Sequence, residues 1–229
     1  MASTNHLKAI QVAQEEVLNK RWGITQQVLE VHSVVFCQDG NPEVKRVYEK
    51  EPGEDISVFF AIQDQPYFYV VVVTVKENDF AVGGGYIEAK VRVYLGIYSE
   101  ELTRDEITKR LGIEPFRSWR KGQPFRASFP QRKHEEHACQ FHAHPETPGS
   151  VEEKLDELVR QLTPVKDEIR QLGESCRLEV TIVYENWGGD PQFGGFNLNA
   201  GHIKFISTIG AEVDCDLYSF GPKMLGEEK

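Results

Sequence analysis

Apolar positions along this chain follow first a helical rhythm, then an alternating one, and each change of rhythm marks an element. Over residues 6–19, Leu7, Ile10, Val17 and Leu18 recur at helical spacing, and Gly23 stands where such a helix would have ended. The segments 27–38, 44–50, 55–63 and 67–76 are instead rich in Val, Phe and Tyr. Turn residues separate them, among them Asp39-Gly40-Asn41-Pro42 and Pro52-Gly53. The pattern predicts a helix followed by an antiparallel β-meander, with His32 packed inside a strand. Gly83-Gly84-Gly85 is the best candidate boundary, dividing the chain into domains at 1–85 and 86–229.

From Val91 the signals sharpen. Val91, Val93, Leu95 and Ile97 alternate with Arg92, Tyr94 and Gly96, as in a half-buried strand. Thr103-Arg104-Asp105-Glu106 is a capping box, followed by Ile107 and Leu111 and closed by Gly112. A second box, Ser150-Val151-Glu152-Glu153, opens a longer helix carrying Leu155, Leu158, Leu162, Val165, Ile169 and Leu172, with Gly173 at its end. Burying that stripe contributes on the order of 10 kcal/mol before entropy, which requires the helix to lie on a sheet. Pro164 kinks the helix rather than ending it, because the stripe continues in phase across it. Residues 176–184 read as a strand, 199–209 as a short helix and 212–218 as a final strand. Cys176 runs in phase with Leu178, Val180 and Ile182, and Cys215 with Val213 and Leu217, each predicted on an apolar strand face. The order implies an α+β fold: an antiparallel or mixed sheet with helices packed on one face, a ferredoxin-like variant, preceded by the helix and meander.

Composition narrows the class. The 229 residues are 40% hydrophobic, enough for a proper core, and 36 acidic against 26 basic side chains give a net charge of -10. That balance favours basic partners and disfavours nonspecific contact with nucleic acid or an anionic membrane. The most apolar run, 67–75, is too short for a membrane helix, and residues 1–20 lack the continuous apolar stretch of a secretory signal. The expected location is the cytoplasm. The four cysteines form no CxxC pair and are expected as small core residues.

The strand ending at Gly96, then Ser99, Glu101-Leu102-Thr103, Glu106-Ile107, Leu111-Gly112-Ile113, Pro115, Trp119 and Lys121-Gly122, resembles the domain-of-unknown-function family 4279. The likeness continues through the amphipathic helix to Gly210-Ala211, Asp214, Asp216 and Tyr218, covering residues 91–219. The resemblance implies a bacterial α+β domain without an established activity, some members of which look like immunity proteins that neutralise toxins. It carries over no catalytic residues. Where the family usually has a Trp and a Ser on a short strand, this chain has His137-Ala138-Cys139-Gln140-Phe141-His142.

Four groups of residues bear chemistry. His134, His137, Cys139, His142 and His144 are all zinc-ligand types, but strand alternation puts His137 and Cys139 on one face and His142 and His144 on the other. From 116 to 133, Arg117, Arg120, Lys121, Arg126, Arg132 and Lys133 interleave with Phe116, Trp119, Phe125 and Phe129 without an intervening acid. Stacking rings on a basic strip can hold single-stranded nucleic acid; the plainer expectation is that the rings pack inward. The glycine-rich loop at 186–196 carries Trp187, Phe193 and Phe196, suited to a protein or ligand contact, and lacks the order of a phosphate cradle. Glu212, Asp214 and Asp216 alternate along the last strand as an acidic face.

The leading expectation is a non-enzymatic module that docks a protein partner, as an immunity protein would, with Trp119, Trp187, Phe193, Phe196, Asp214 and Asp216 on its acidic, aromatic-bearing surface. Nucleic acid and membrane are not expected as partners. The alternative is a metal-binding protein or metal-dependent enzyme using zinc at the cluster from His134 to His144.

Overall fold

A computed structural model describes residues 4–77, 79–142, 147–189 and 194–222. They form two compact units, one of Met1–Lys90, Glu185–Gly194 and Leu217–Lys229, the other of Val91–Tyr184 and Gly195–Asp216.

The first unit opens with α1 (Thr4–Asn19), which buries Ala9, Ala13, Glu16 and Val17. Leu7 and Leu18, expected on the inner stripe, are more than half and half exposed. The buried face is lined by alanines, whose small side chains let the helix approach the sheet closely. Of the expected stripe, Val17 and Ile10 do meet the core, while Leu7 and Leu18 face away from it. Next comes α2 (Gly23–Val31), where a strand was expected from residue 27. Thr25 and Val28 face inward at helical spacing, and the Thr25 hydroxyl lies 2.8 Å from that of Tyr69. Beyond it, Val34 and Phe36 make only isolated bridges, to Ile62 and Pro42. Strands β1 (Val44–Glu49), β2 (Ile56–Ala61), β3 (Phe68–Lys76) and β4 (Asp79–Glu88) pair antiparallel in that order; β1 to β3 fall on the last three segments of the expected meander, and β4 is a strand the sequence did not mark. Ile56, Val58 and Phe60 join Tyr69, Val71 and Val73 in the core that receives both helices. Phe59, Phe68 and Val70 form a smaller cluster of their own.

The glycine triplet lies inside β4 rather than in a linker. Val72 pairs with Gly84 and Val73 with Val82, so Gly83 is the extra residue of a bulge. A Cβ on Gly85 would fall 2.6 Å from the Tyr69 hydroxyl, so the backbone must be bare there.

In the second unit, β5 (Lys90–Ser99) buries Val91, Val93, Leu95 and Ile97 as predicted. Helix α3 (Arg104–Leu111) starts at its capping box, with the Thr103 N–H donating to Glu106 Oε2 at 2.8 Å, and stops at Gly112 in the left-handed conformation. Short strands β6 (Arg117–Trp119), β7 (Pro124–Arg126) and β8 (Phe129–Lys133) precede β9 (His137–His142). Helix α4 (Val151–Leu162) begins at the Ser150 box, and it and α5 (Lys166–Leu172) bury the predicted leucine stripe. At Pro164 the chain passes through a 3-10 turn, Thr163–Val165, that separates the two helices. This is a split where a kink was expected, since a proline supplies no N–H to carry the α-helical ladder across. The remaining elements are β10 (Arg177–Trp187), α6 (Ala200–Ile209) and β11 (Glu212–Phe220); β10 up to Tyr184, α6 and β11 up to Asp216 belong to the second unit, and the last residues of both strands to the first.

The strands pair in the order β11-β10-β5-β9-β6, an open sheet with β9 antiparallel to β5 and β6. The molecule is an α+β protein. No helix of the described residues is long and apolar enough to cross a membrane. One strand departs from expectation: in β11, Val213 is 43% exposed and Leu217 61%, and Cys215 is exposed too. The alternation was that of a half-buried strand, but β11 is the sheet edge and neither of its faces is covered.

Candidate functional site

The segment from Gly96 to Gly122 is built from turns and caps. The Ser99 hydroxyl accepts from the N–H groups of Glu101 at 3.2 Å and Leu102 at 2.9 Å, which turns the chain into the Thr103 box. Lys121 pairs with Glu100 at 3.0 Å, and its N–H donates to His137 Nδ1 at 3.3 Å. Trp119 is half-buried, stacked on His134 at 4.7 Å and tilted against Tyr98 at 6.2 Å. An open cleft of about 600 Å³ lies beside this segment, with Tyr98 and Arg177 in its wall. The Arg177 guanidinium sits 4.1 Å over the Tyr98 ring and is committed to Glu136 at 2.8 Å and Glu179 at 2.6 Å. These charges satisfy one another within the cleft wall.

The histidine cluster disperses. His134 is stacked on Trp119 and contacts Phe125, His137 accepts from Lys121, and His142 lies against Tyr94 and Phe116. Cys139 is fully buried in β9, where burial pushes its thiol up to about 11, away from the thiolate that a metal or a nucleophile requires. No three metal-binding side chains converge among the described residues, and His144 lies outside them.

The basic segment also differs from the plainer expectation. Strands β7 and β8 form a separate two-stranded sheet in which every residue is exposed, Phe125 and Phe129 included. The cations lie beside the rings, Arg132 4.9 Å and Arg126 5.8 Å from the Phe125 centroid. Phe125 and Phe129 therefore face solvent alongside the cations, while Trp119 is half-buried against Tyr98 and His134.

Two of the three loop aromatics lie among the described residues. Trp187, expected at a docking surface, is only 3% exposed and belongs to the core of the first unit. Its Nε1–H donates to the Pro222 carbonyl at 2.7 Å, because a buried indole needs a partner for that N–H. Phe196 is partly exposed and stacks on Tyr184 at 6.3 Å, while Phe193 lies outside the described residues. On β11, Glu212 and Asp214 are exposed and Asp216 is half-buried.

Sequence reasoning missed the environment of His32. It is the C-cap of α2 rather than a strand residue and is 7% exposed, with its ring set edgewise to Trp187 at 4.8 Å and Tyr67 at 5.5 Å. Among the described residues neither His32 Nε2 nor the Tyr67 hydroxyl has a hydrogen-bond partner, two unfilled polar groups in one apolar core. No periodicity signals this, since both residues look like ordinary core positions.

Burial holds the imidazole pKa of His32 below its ordinary 6.5. The unfolded chain therefore takes up a proton near pH 6.5 that the folded chain refuses. Stability is complete above that value and falls as pH drops from it toward the folded pKa. Urea unfolding at about pH 7.5 and about pH 5.5 should show wild type losing more stability on acidification than His32→Phe. Equal losses would contradict the assignment.

No curated protein and no solved structure matches the chain at a significant level. The model of one family matches residues 89–220, from the start of β5 to the end of β11, and takes in the capped helices, the Ser99 turn and Trp119. The chain therefore belongs to the domain-of-unknown-function family DUF4279.

Proposed function

We propose that this chain is a protein-binding module whose edge strand β11 takes up an extended, basic segment of a protein partner. The observation that carries this reading is that β11 is uncovered. It lies at the end of the five-stranded sheet, exposing Val213 and Cys215 on one face and Glu212 and Asp214 on the other. An outermost strand has backbone N–H and C=O groups with no neighbour on one side, and an added strand satisfies them. The alternating acids set the charge that strand carries, and the net charge of -10 steers a basic partner toward the molecule. An immunity protein that neutralises a toxin by docking on it would use such a surface.

A fluorescein-labelled peptide of alternating valine and lysine tests the reading by anisotropy. Binding should saturate, weaken with salt, and weaken by about tenfold or more in a variant carrying Asp214→Lys and Asp216→Lys. Undiminished binding to the variant, or equal binding of a valine–glutamate peptide, would sink it.

A further inference from the structure

We infer that the β7–β8 hairpin binds single-stranded nucleic acid, stacking bases on its exposed rings and pairing phosphates with its cations. Strands β7 and β8 make a two-stranded sheet of their own, and every residue from Arg120 to Lys133 is exposed. Phe129 is 59% exposed and Phe125 39%, although phenylalanine is among the residues most often buried.

The hairpin is anchored at its base. The Gly122 N–H donates to the His134 carbonyl at 2.8 Å and the His134 N–H to the Gln123 carbonyl at 3.0 Å, while the His134 ring stacks on Trp119 at 4.7 Å. These contacts fix the platform before anything binds, so less ordering entropy is lost on binding. At the far end the Phe129 ring meets no other ring and no cation among the described residues, which leaves it for a base.

Charge supplies the second half of the site. Arg120 and Lys121, near the base, are engaged with Asp105 at 4.0 Å and Glu100 at 3.0 Å, but Arg126, Arg132 and Lys133 make no ion pair among the described residues. No acid lies between residues 116 and 133. The net charge of -10 belongs to the chain as a whole, whereas exposed charges act within a Debye length of about 8 Å at physiological salt. A strand arriving at the hairpin therefore meets the local cations first.

The interleaving of ring and charge selects the partner. Arg132 lies 4.9 Å and Arg126 5.8 Å from the Phe125 centroid, and a guanidinium beside a ring keeps N–H groups free to donate to a phosphate. A single strand repeats that pairing at every nucleotide, an anion next to a flat, unpaired base. An acidic peptide would satisfy the cations and leave Phe129 in water. A bilayer would take up the rings, but it would draw the two guanidiniums beside Phe125 toward hydrocarbon, where charge is costly. Neither the sugar nor a base edge takes part in these contacts, so DNA and RNA strands qualify alike.

Anisotropy of a labelled oligothymidylate titrated with the full chain tests the inference. Binding should saturate and weaken with salt. Arg126→Gln combined with Arg132→Gln should weaken it about tenfold or more and flatten its salt dependence, since each lost phosphate contact lowers the logarithmic slope by about one. Phe129→Ala should weaken binding about fivefold or more and leave that slope unchanged, because stacking releases no counterions. The three side chains are exposed, so both variants should melt as wild type does, and lost affinity then reports binding. Oligouridylate should match oligothymidylate. The inference is overturned if nothing binds at physiological salt, if Phe129→Ala binds as wild type does, or if one sugar is preferred by more than about tenfold. It is equally overturned if a duplex, an oligoglutamate peptide or vesicles of anionic lipid compete as well as the unlabelled single strand.

Discussion

Gly96→Ala should be among the most damaging single-methyl additions to this protein. A Cβ at Gly96 would lie 2.4 Å from the Tyr98 ring and 2.6 Å from its hydroxyl, well inside contact distance. Both residues lie on the same face of β5, and Tyr98 folds back over the bare glycine backbone. The ring is held there by Trp119 at 6.2 Å and by the Arg177 guanidinium at 4.1 Å, and its hydroxyl is desolvated enough that its pKa rises to about 12. An added methyl must displace the ring from all of these. Overpacking costs roughly 1–3 kcal/mol, and losing the ring contacts adds to that. Were the glycine merely a strand residue, alanine would instead stabilise it by about 0.5–1 kcal/mol. The two accounts thus predict opposite signs. In the Tyr98→Ala background the clash has no partner, and the cost of Gly96→Ala should largely vanish, a coupling that a double-mutant cycle reads directly. Equal costs in both backgrounds would refute the steric account.

Leu158→Ala is expected to lower stability by about 2–5 kcal/mol, a large share of the roughly 5–15 kcal/mol that holds a typical domain together. Leu158 is 1% exposed in the middle of α4, between Leu155 and Leu162, which are equally buried. Removing its branched end leaves a void that the neighbouring side chains are too well packed to fill. Leu7 is the informative comparison. It occupies a similar place in a helical apolar pattern, yet it is 59% exposed, and Leu7→Ala should change stability by no more than about 0.5 kcal/mol. Chemical denaturation of the two variants beside wild type measures both, and comparable losses would show that α1 buries a different face from the one described.

The contrast between these leucines shows how far the sequence reaches. Thr103 with Glu106, and Ser150 with Glu153, give the starts of two helices correctly, because a capping box is closed by residues three apart and needs no other part of the chain. The β5 alternation is equally legible, since β5 is an inner strand of its sheet and one of its faces is covered along its length. The same alternation in β11 misleads, because the pattern records which side chains are apolar and not whether anything lies over them. In residues 27–31, β-branched and apolar residues suggest a strand, and the helix that begins at Gly23 wins because Thr25 and Val28 face inward at helical spacing.

The candidate sites follow the same division. The exposed hairpin of β7 and β8 can be traced to a stretch without acids, and the separation of His137 from His142 to strand alternation on β9. The burial of Trp187 beside His32 could not be read, since the two residues are far apart in sequence and meet only in the folded unit.

By itself, then, the sequence determined the α+β class, both capped helices, three strands of the meander and the family, all of which depend on spacing between near neighbours. Only the tertiary structure decided that β11 is a sheet edge, that Gly85 and Gly96 make room for tyrosines, and that His32 is buried against Trp187 and Tyr67 with its Nε2 unpartnered among the described residues. The physical reason is that burial and hydrogen-bond satisfaction are properties of a residue's surroundings, and those are assembled from distant parts of the chain.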